Sequence, residues 1–182
     1  MRRLLAAAAV ALAAAALDAK VFLTQEEALK LAFPGAAVEH KIAYLTGAQQ
    51  KDAQRLSGDP ELPGAIVSYY VGTKDGRAVG TAYFDTHVVR TMLETIMVEV
   101  EPAGAIVRIE VLSFSEPEDY LPKTHWYEQF QGKPLDDELS LKRAIRPVTG
   151  ATLTAHATTD AARRVLALDR VLRAAPTPSA SK

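Results

Sequence analysis

At 182 residues, with 48% apolar and 24% charged side chains, the chain has the length and composition of one folded domain with a core, not of a disordered or fibrous chain. Nothing in its formal net charge of -1 favours a polyanion, so no nucleic-acid partner is expected. The lack of cysteine excludes disulfides, iron-sulfur clusters, thiolate zinc sites and c-type haem attachment, which leaves oxygen donors, nitrogen donors or an organic cofactor for any redox chemistry.

Residues 1–19 carry two arginines, an uncharged Ala/Leu/Val run from Leu4 to Leu17 and then small residues, the pattern of an export signal. The apolar run is short of the roughly 20 residues that cross a bilayer, so the segment reads as a cleaved signal or, failing cleavage, an anchor. A periplasmic or extracytoplasmic location is expected. The folded domain is expected over 20–174, and the Ala/Pro/Ser tail at 175–182 has a disordered composition.

Within the domain, Thr24 with Glu27 three residues on is a capping box, which predicts a first helix ending at Pro34-Gly35. Residues 37–45, AVEHKIAYL, alternate as a strand does. The polar stretch TGAQQKDAQRLSGDPELPG predicts a helical turn and then a loop, and sets these first elements apart from the main sheet. From Ala65 four strand patterns follow, AIVSYYVGT, AVGTAYFDTHVV, TIMVEVEPAG and AIVRIEVLSF. Asp75-Gly76 and Pro102-Ala103-Gly104 supply hairpin turns, so an antiparallel sheet of about four strands is expected.

A proline-bracketed loop comes next, with a short helix around His125 to Phe130. The last helix is the clearest: Ala161, Ala162, Val165, Leu168 and Leu172 share a face for packing on the sheet. Asp160/Arg164 and Asp169/Arg173 are opposite charges four apart, expected on the surface, and Thr154 is placed to cap the helix start. The fold class is therefore α+β, helices packed on an antiparallel sheet.

The stretch in front of that helix, Thr149-Gly150-Ala151-Thr152, is the strongest chemical signal. A helix N-terminus offers unpaired N–H groups and a partial positive charge, which together suit a phosphate. Gly150 and Ala151 leave room for close approach, and Thr149, Thr152 and Thr154 add hydroxyls. On physics alone the same residues also suit a plain helix cap.

VTGATLTAHATTDAARRVL resembles the FMN-binding domain family, found in small flavoprotein subunits of sodium-pumping and ferredoxin-linked membrane oxidoreductases. Its fingerprint is Ser/Thr-Gly-Ala-Thr, a hydrophobic residue, Ser/Thr and a helix. Upstream, VEPAGAIVRIEVLSFSEP resembles the family's strand, turn and strand ending near a Glu. Likewise Trp126, Phe130, Gly132, Lys133 and Leu135 resemble its Trp and Phe-x-Gly-Lys-x-Leu stretch. The resemblance implies FMN at the start of the last helix, attached as a phosphoester to Thr152 by a flavin transferase, with Thr149, Gly150, Ala151 and Thr154 around the phosphate. It places Glu116, Tyr120, Leu121 and Trp126 near the flavin ring, with core packing as the other role open to Trp126.

Arg146 stands where the family often has Asp, and Pro117 to Pro122 replace a glycine-rich loop. An arginine beside a phosphate is electrostatically favourable. The function implied is an exported electron carrier serving membrane or extracytoplasmic redox partners. The alternatives are an exported binding or scaffold module with non-covalent or no flavin, and a substrate-reducing flavoenzyme with an open pocket beside the ring.

Two other groupings carry less. Asp85, His87, Arg90 and Glu94 fall close together, with Asp85 and His87 on one strand face; they read as a polar network or solvated face, or as part of a flavin pocket or docking site. His40, His87, His125 and His156 have no metal-ligand spacing, so no metal is expected.

Overall fold

The computed structural model describes residues 19–59, 62 and 64–174. The expected signal, apart from Ala19, and the expected tail lie outside the described residues. Six strands among them form one antiparallel sheet in the order β1-β6-β5-β4-β3-β2. They are β1 (Lys20–Val21), β2 (Ala37–Tyr44), β3 (Ile66–Lys74), β4 (Arg77–Val88), β5 (Leu93–Val100) and β6 (Ile106–Phe114). The helices are α1 (Gln25–Ala32), α2 (Gly47–Ser57), α3 (Thr124–Tyr127) and α4 (Thr152–Ala174).

The α+β class is as expected, while the count of about four strands is corrected to six. β2 belongs to the same sheet: it pairs with β3 from Ala37 opposite Thr73 to Tyr44 opposite Ile66, with the polar stretch folded out of the way as α2. β1 is only two residues long and pairs with the end of β6, too short to give an alternating pattern. The expected helical turn is a full helix. Thr46 accepts from the Gln49 N–H and Gln49 reaches back to the Thr46 N–H, the same reciprocal box that Thr24 and Glu27 make at α1. Gly58 in the left-handed region then ends α2.

Alternation divides the sheet into two faces. Tyr83, Ile96, Val98, Val100 and Ile109 meet α2, α4 and the 126–145 segment, forming the larger core. Ala82, Met97 and Leu112 point the other way, against Ala28, Ala32 and Phe33 at α1. Gly72 and Gly80 face each other across β3 and β4, and a Cβ on Gly72 would collide with the Phe33 ring, so glycine here makes the slot that the ring fills. Beyond α1 that face is open, leaving Ile42, Tyr44 and Ile66 exposed.

α4 buries more than its expected stripe. Ala161, Ala162, Val165 and Leu168 are buried as predicted, but Asp169 is buried with them, which corrects the expected surface pair. Its carboxylate accepts from Tyr83 Oη at 3.1 Å and from Arg173 Nε at 2.6 Å. The reason is helical period: position 169 sits four beyond Val165 and so turns inward. Arg164 likewise leaves Asp160 and reaches Asp85 at 2.9 Å and Asp59 at 3.0 Å. No helix among the described residues is long and apolar enough to cross a membrane.

Candidate functional site

Three residues after Pro147 the chain makes a tight turn. The Ala151 N–H donates to Val148 O at 3.3 Å, and Gly150 has φ of 86°, a left-handed conformation that glycine adopts without penalty. α4 starts immediately after, at Thr152 rather than near Thr154. Ala151 occupies the cap position and has no side-chain acceptor, so the first-turn N–H groups of Thr152, Leu153 and Thr154 lack a side-chain cap from it. The hydroxyl of Thr152 donates back to Val148 O at 3.1 Å and stays exposed. Thr154, expected as the cap, is buried and spends its hydroxyl proton on Tyr120 O at 2.5 Å, tying the 3-10 turn Glu118–Tyr120 to the helix.

A cavity of about 230 Å³ opens at this helix start, lined by Gly150 to Thr154 together with Arg90 and Tyr120. From sequence Arg90 belongs to the Asp85 to Glu94 grouping, for which a part in a flavin pocket is one of the readings. It comes from the β4–β5 connection, and its guanidinium lies over the Tyr120 ring, 4.4 Å from the centroid. What holds that connection is Glu116: one carboxylate oxygen accepts from the N–H of Thr91 at 2.8 Å, the N–H of Met92 at 3.0 Å and the Thr91 hydroxyl at 3.1 Å. The Thr91 N–H is the chief cause that keeps the Glu116 carboxyl below its ordinary range.

The expected site residues therefore separate into groups. Gly150, Ala151, Thr152, Thr154 and Tyr120 share the cavity, and Glu116 is one step back from it. Thr149 is exposed on the turn outside the lining, and Leu121 is half-buried outside it as well. Trp126 is buried in the main core, stacked edge-on with Tyr127 and Phe130. Its indole Nε1 donates to Arg146 O at 2.7 Å. Arg146, expected near the phosphate, instead lines a second cavity with Trp126, Pro147 and Val148, ahead of the Val148 to Ala151 turn.

A third cavity lies on the other side of Leu153, about 260 Å³, with His87, Val88, His156 and Arg164 among its walls. Beneath it runs the polar network expected around His87. The imidazole sits between Asp85 Oδ1 at 2.8 Å and Glu94 Oε2 at 3.0 Å; Arg164 pairs with Asp85, and Thr158 donates to Glu94 at 3.2 Å. Burial works against charge on His87, but the bonds to Asp85 and Glu94 and their charges outweigh it and push its pKa up to about 9.

Residues 94–167 match the family described as FMN-binding domain, and FMN is the cofactor that this match indicates. The matched span takes in Glu116, Tyr120 and the whole Gly150 to Thr154 turn, while Arg90 precedes it. The fold is similar to that in the crystal structure of NqrC from Shewanella oneidensis, with a TM-score of 0.52 and 16% identity, covering 76% of this chain and 85% of that chain. No curated protein matches the chain.

Proposed function

We propose, taking residues 94–167 as an FMN-binding domain, that the chain is an exported electron-transfer protein whose FMN is held as a phosphoester on Thr152. The observation that carries this reading is the convergence in one cavity of an exposed hydroxyl, a guanidinium and the first turn of a 23-residue helix. That donor set fits a phosphate. The helix start contributes N–H groups and the positive end of its dipole, Arg90 contributes a full charge, and Gly150 lets the turn bring both close. When bound, FMN supplies electron transfer at its ring, and the protein's part is to bind, orient and tune it.

Each residue of this chain has a separate part. Thr152 Oγ1 would form the ester by substitution at the phosphorus of a flavin nucleotide brought by the transferase, whose existing phosphorus–oxygen bond breaks as its leaving group departs, and the hydroxyl gives up its proton and with it the bond to Val148 O. Arg90 and the first-turn N–H groups offset the remaining charge of the phosphodiester. Glu116 acts through Thr91 and Met92 by holding the connection that carries Arg90. Thr154 fixes Tyr120 to the helix, so the aromatic ring and the exposed Leu153 side chain form apolar surface beside the phosphate.

A covalent link suits an exported protein, because a reversibly bound cofactor stays in place only where its free concentration exceeds its dissociation constant. Redox partners at or beyond the membrane and a flavin transferase for maturation belong to the same reading. The test is to express the full chain with a flavin transferase, denature it and weigh it. The expected product is heavier than the chain by FMN less one water, and fluoresces; Thr152→Ala abolishes both signals. A wild-type chain of unchanged mass beside an active transferase would overturn the covalent reading and leave non-covalent or no flavin. A label retained in Thr152→Ala would move the attachment elsewhere.

A further inference from the structure

The cavity that holds Arg146 is separate from the one at Thr152, although Trp126 in its wall is among the residues that the family resemblance sets near the flavin ring. It is an open cleft of about 610 Å³, a volume that small organic ligands fill, and its walls are unlike those around Thr152. Lys133 and Arg146 bring two cationic side chains to it, with His125 beside them, and no carboxylate lines it. Among the described residues neither the Lys133 ammonium nor the Arg146 guanidinium has an ion pair or a side-chain hydrogen bond, in contrast to Arg143, Arg163, Arg164, Arg170 and Arg173.

The frame that presents these cations is itself fastened. Gln129 spends both ends of its amide, accepting from the Arg146 N–H at 2.9 Å and donating to Trp126 O at 3.1 Å. Trp126 Nε1 closes the ring of bonds on Arg146 O at 2.7 Å. Lys133 is anchored by its backbone, whose carbonyl accepts from the Ile106 N–H at 3.0 Å and whose N–H donates to Phe130 O at 3.1 Å. The polar groups of Gln129 and the indole are thus satisfied internally, and the charged ends of Lys133 and Arg146 are left for something else. Trp126, Pro147 and Val148 supply apolar wall between them.

We propose that this cavity is a binding site for a small organic anion, its carboxylate held by Arg146 and Lys133 and its apolar part against Trp126, Pro147 and Val148. The guanidinium meets a carboxylate through two parallel N–H donors, and the ammonium adds a point charge, so the anionic end selects for charge while the indole wall selects for a flat or apolar body. Val148 joins this site to the Thr152 turn, since it lines the cavity and its carbonyl accepts the Thr152 hydroxyl. The assignment does not rest on the flavin.

Trp126 is the single tryptophan of the chain, so its indole N–H gives one unambiguous signal inside the site. Titrating the full chain with benzoate, benzamide and inorganic phosphate while following that ¹H–¹⁵N signal tests the proposal. Benzoate should shift it saturably, and Lys133→Met with Arg146→Met should weaken binding by more than about tenfold, as loss of charge-assisted bonds requires. Arg146→Met alone, changing an exposed side chain, should weaken it by about tenfold with the rest of the spectrum unchanged. No saturable benzoate shift, an equal response to uncharged benzamide, an equal response to phosphate, or unaltered binding in the variants would each overturn the assignment.

Discussion

The His87 network makes a pH-dependent contribution to stability whose sign and size follow from its surroundings. The imidazole is 8% exposed and bonded on both nitrogens to carboxylates, and its pKa rises from an ordinary 6.5 to about 9. A group whose folded-state pKa is raised contributes its full stabilisation below the unfolded value and loses it as pH rises through the folded one. At about 1.4 kcal/mol per pH unit, the gap between the two values corresponds to about 3 kcal/mol, a large part of the stability of a domain. That contribution should be whole at pH 6, decline through pH 7 and 8 and be gone above pH 9. Denaturant unfolding of wild type and of His87→Gln across this window is the assay, since Gln keeps hydrogen-bonding capacity but never charges. The wild type should lead by about 3 kcal/mol at the acidic end and the two should converge at the alkaline end. A constant difference across the window would refute the charged, doubly paired imidazole.

Gly150→Ala places a side chain at a φ of 86° with no neighbour to collide with, so its cost is that of the backbone conformation alone, about 1 kcal/mol, seen as a lowered denaturation midpoint; Gly150→Asn should cost less. Both variants should also reduce flavin loading, which the mass of the denatured chain reads. Glu116→Ala removes the acceptor shared by the Thr91 and Met92 N–H groups, so hydrogen exchange at those two amides should quicken by at least about tenfold while β5 and β6 keep theirs. In the wild type the same loosening should appear as pH falls through the lowered Glu116 pKa and be absent above the ordinary carboxylate range, because the interaction belongs to the ionised form.

Local chemistry was readable along the chain wherever a few neighbouring residues decide the outcome. The Thr24 and Glu27 box sets the start of α1, and Thr46 and Gln49 carry the same signal for α2, hidden only by the polar composition around them. The alternation from Ala65 to Phe114 yields four strands, and the stretch from Thr149 to Thr152 marks a helix start open to a phosphate. Position within a helix was legible too: the period that buries Val165 also turns Asp169 inward, although charge alone suggested the surface.

Tertiary structure decided what depends on residues far apart. Arg90 stands 62 positions before Thr152 and reaches its cavity only because β4 and β5 end beside α4 and Glu116 holds their connection. Arg146 is six residues from Thr152 in sequence, yet the Val148 to Ala151 turn comes between them and Arg146 lines another cavity, with Trp126 and Lys133. Short-range hydrogen bonding and periodicity are properties of a segment and can be read along it, whereas which cation meets which anion is set by how the segments pack.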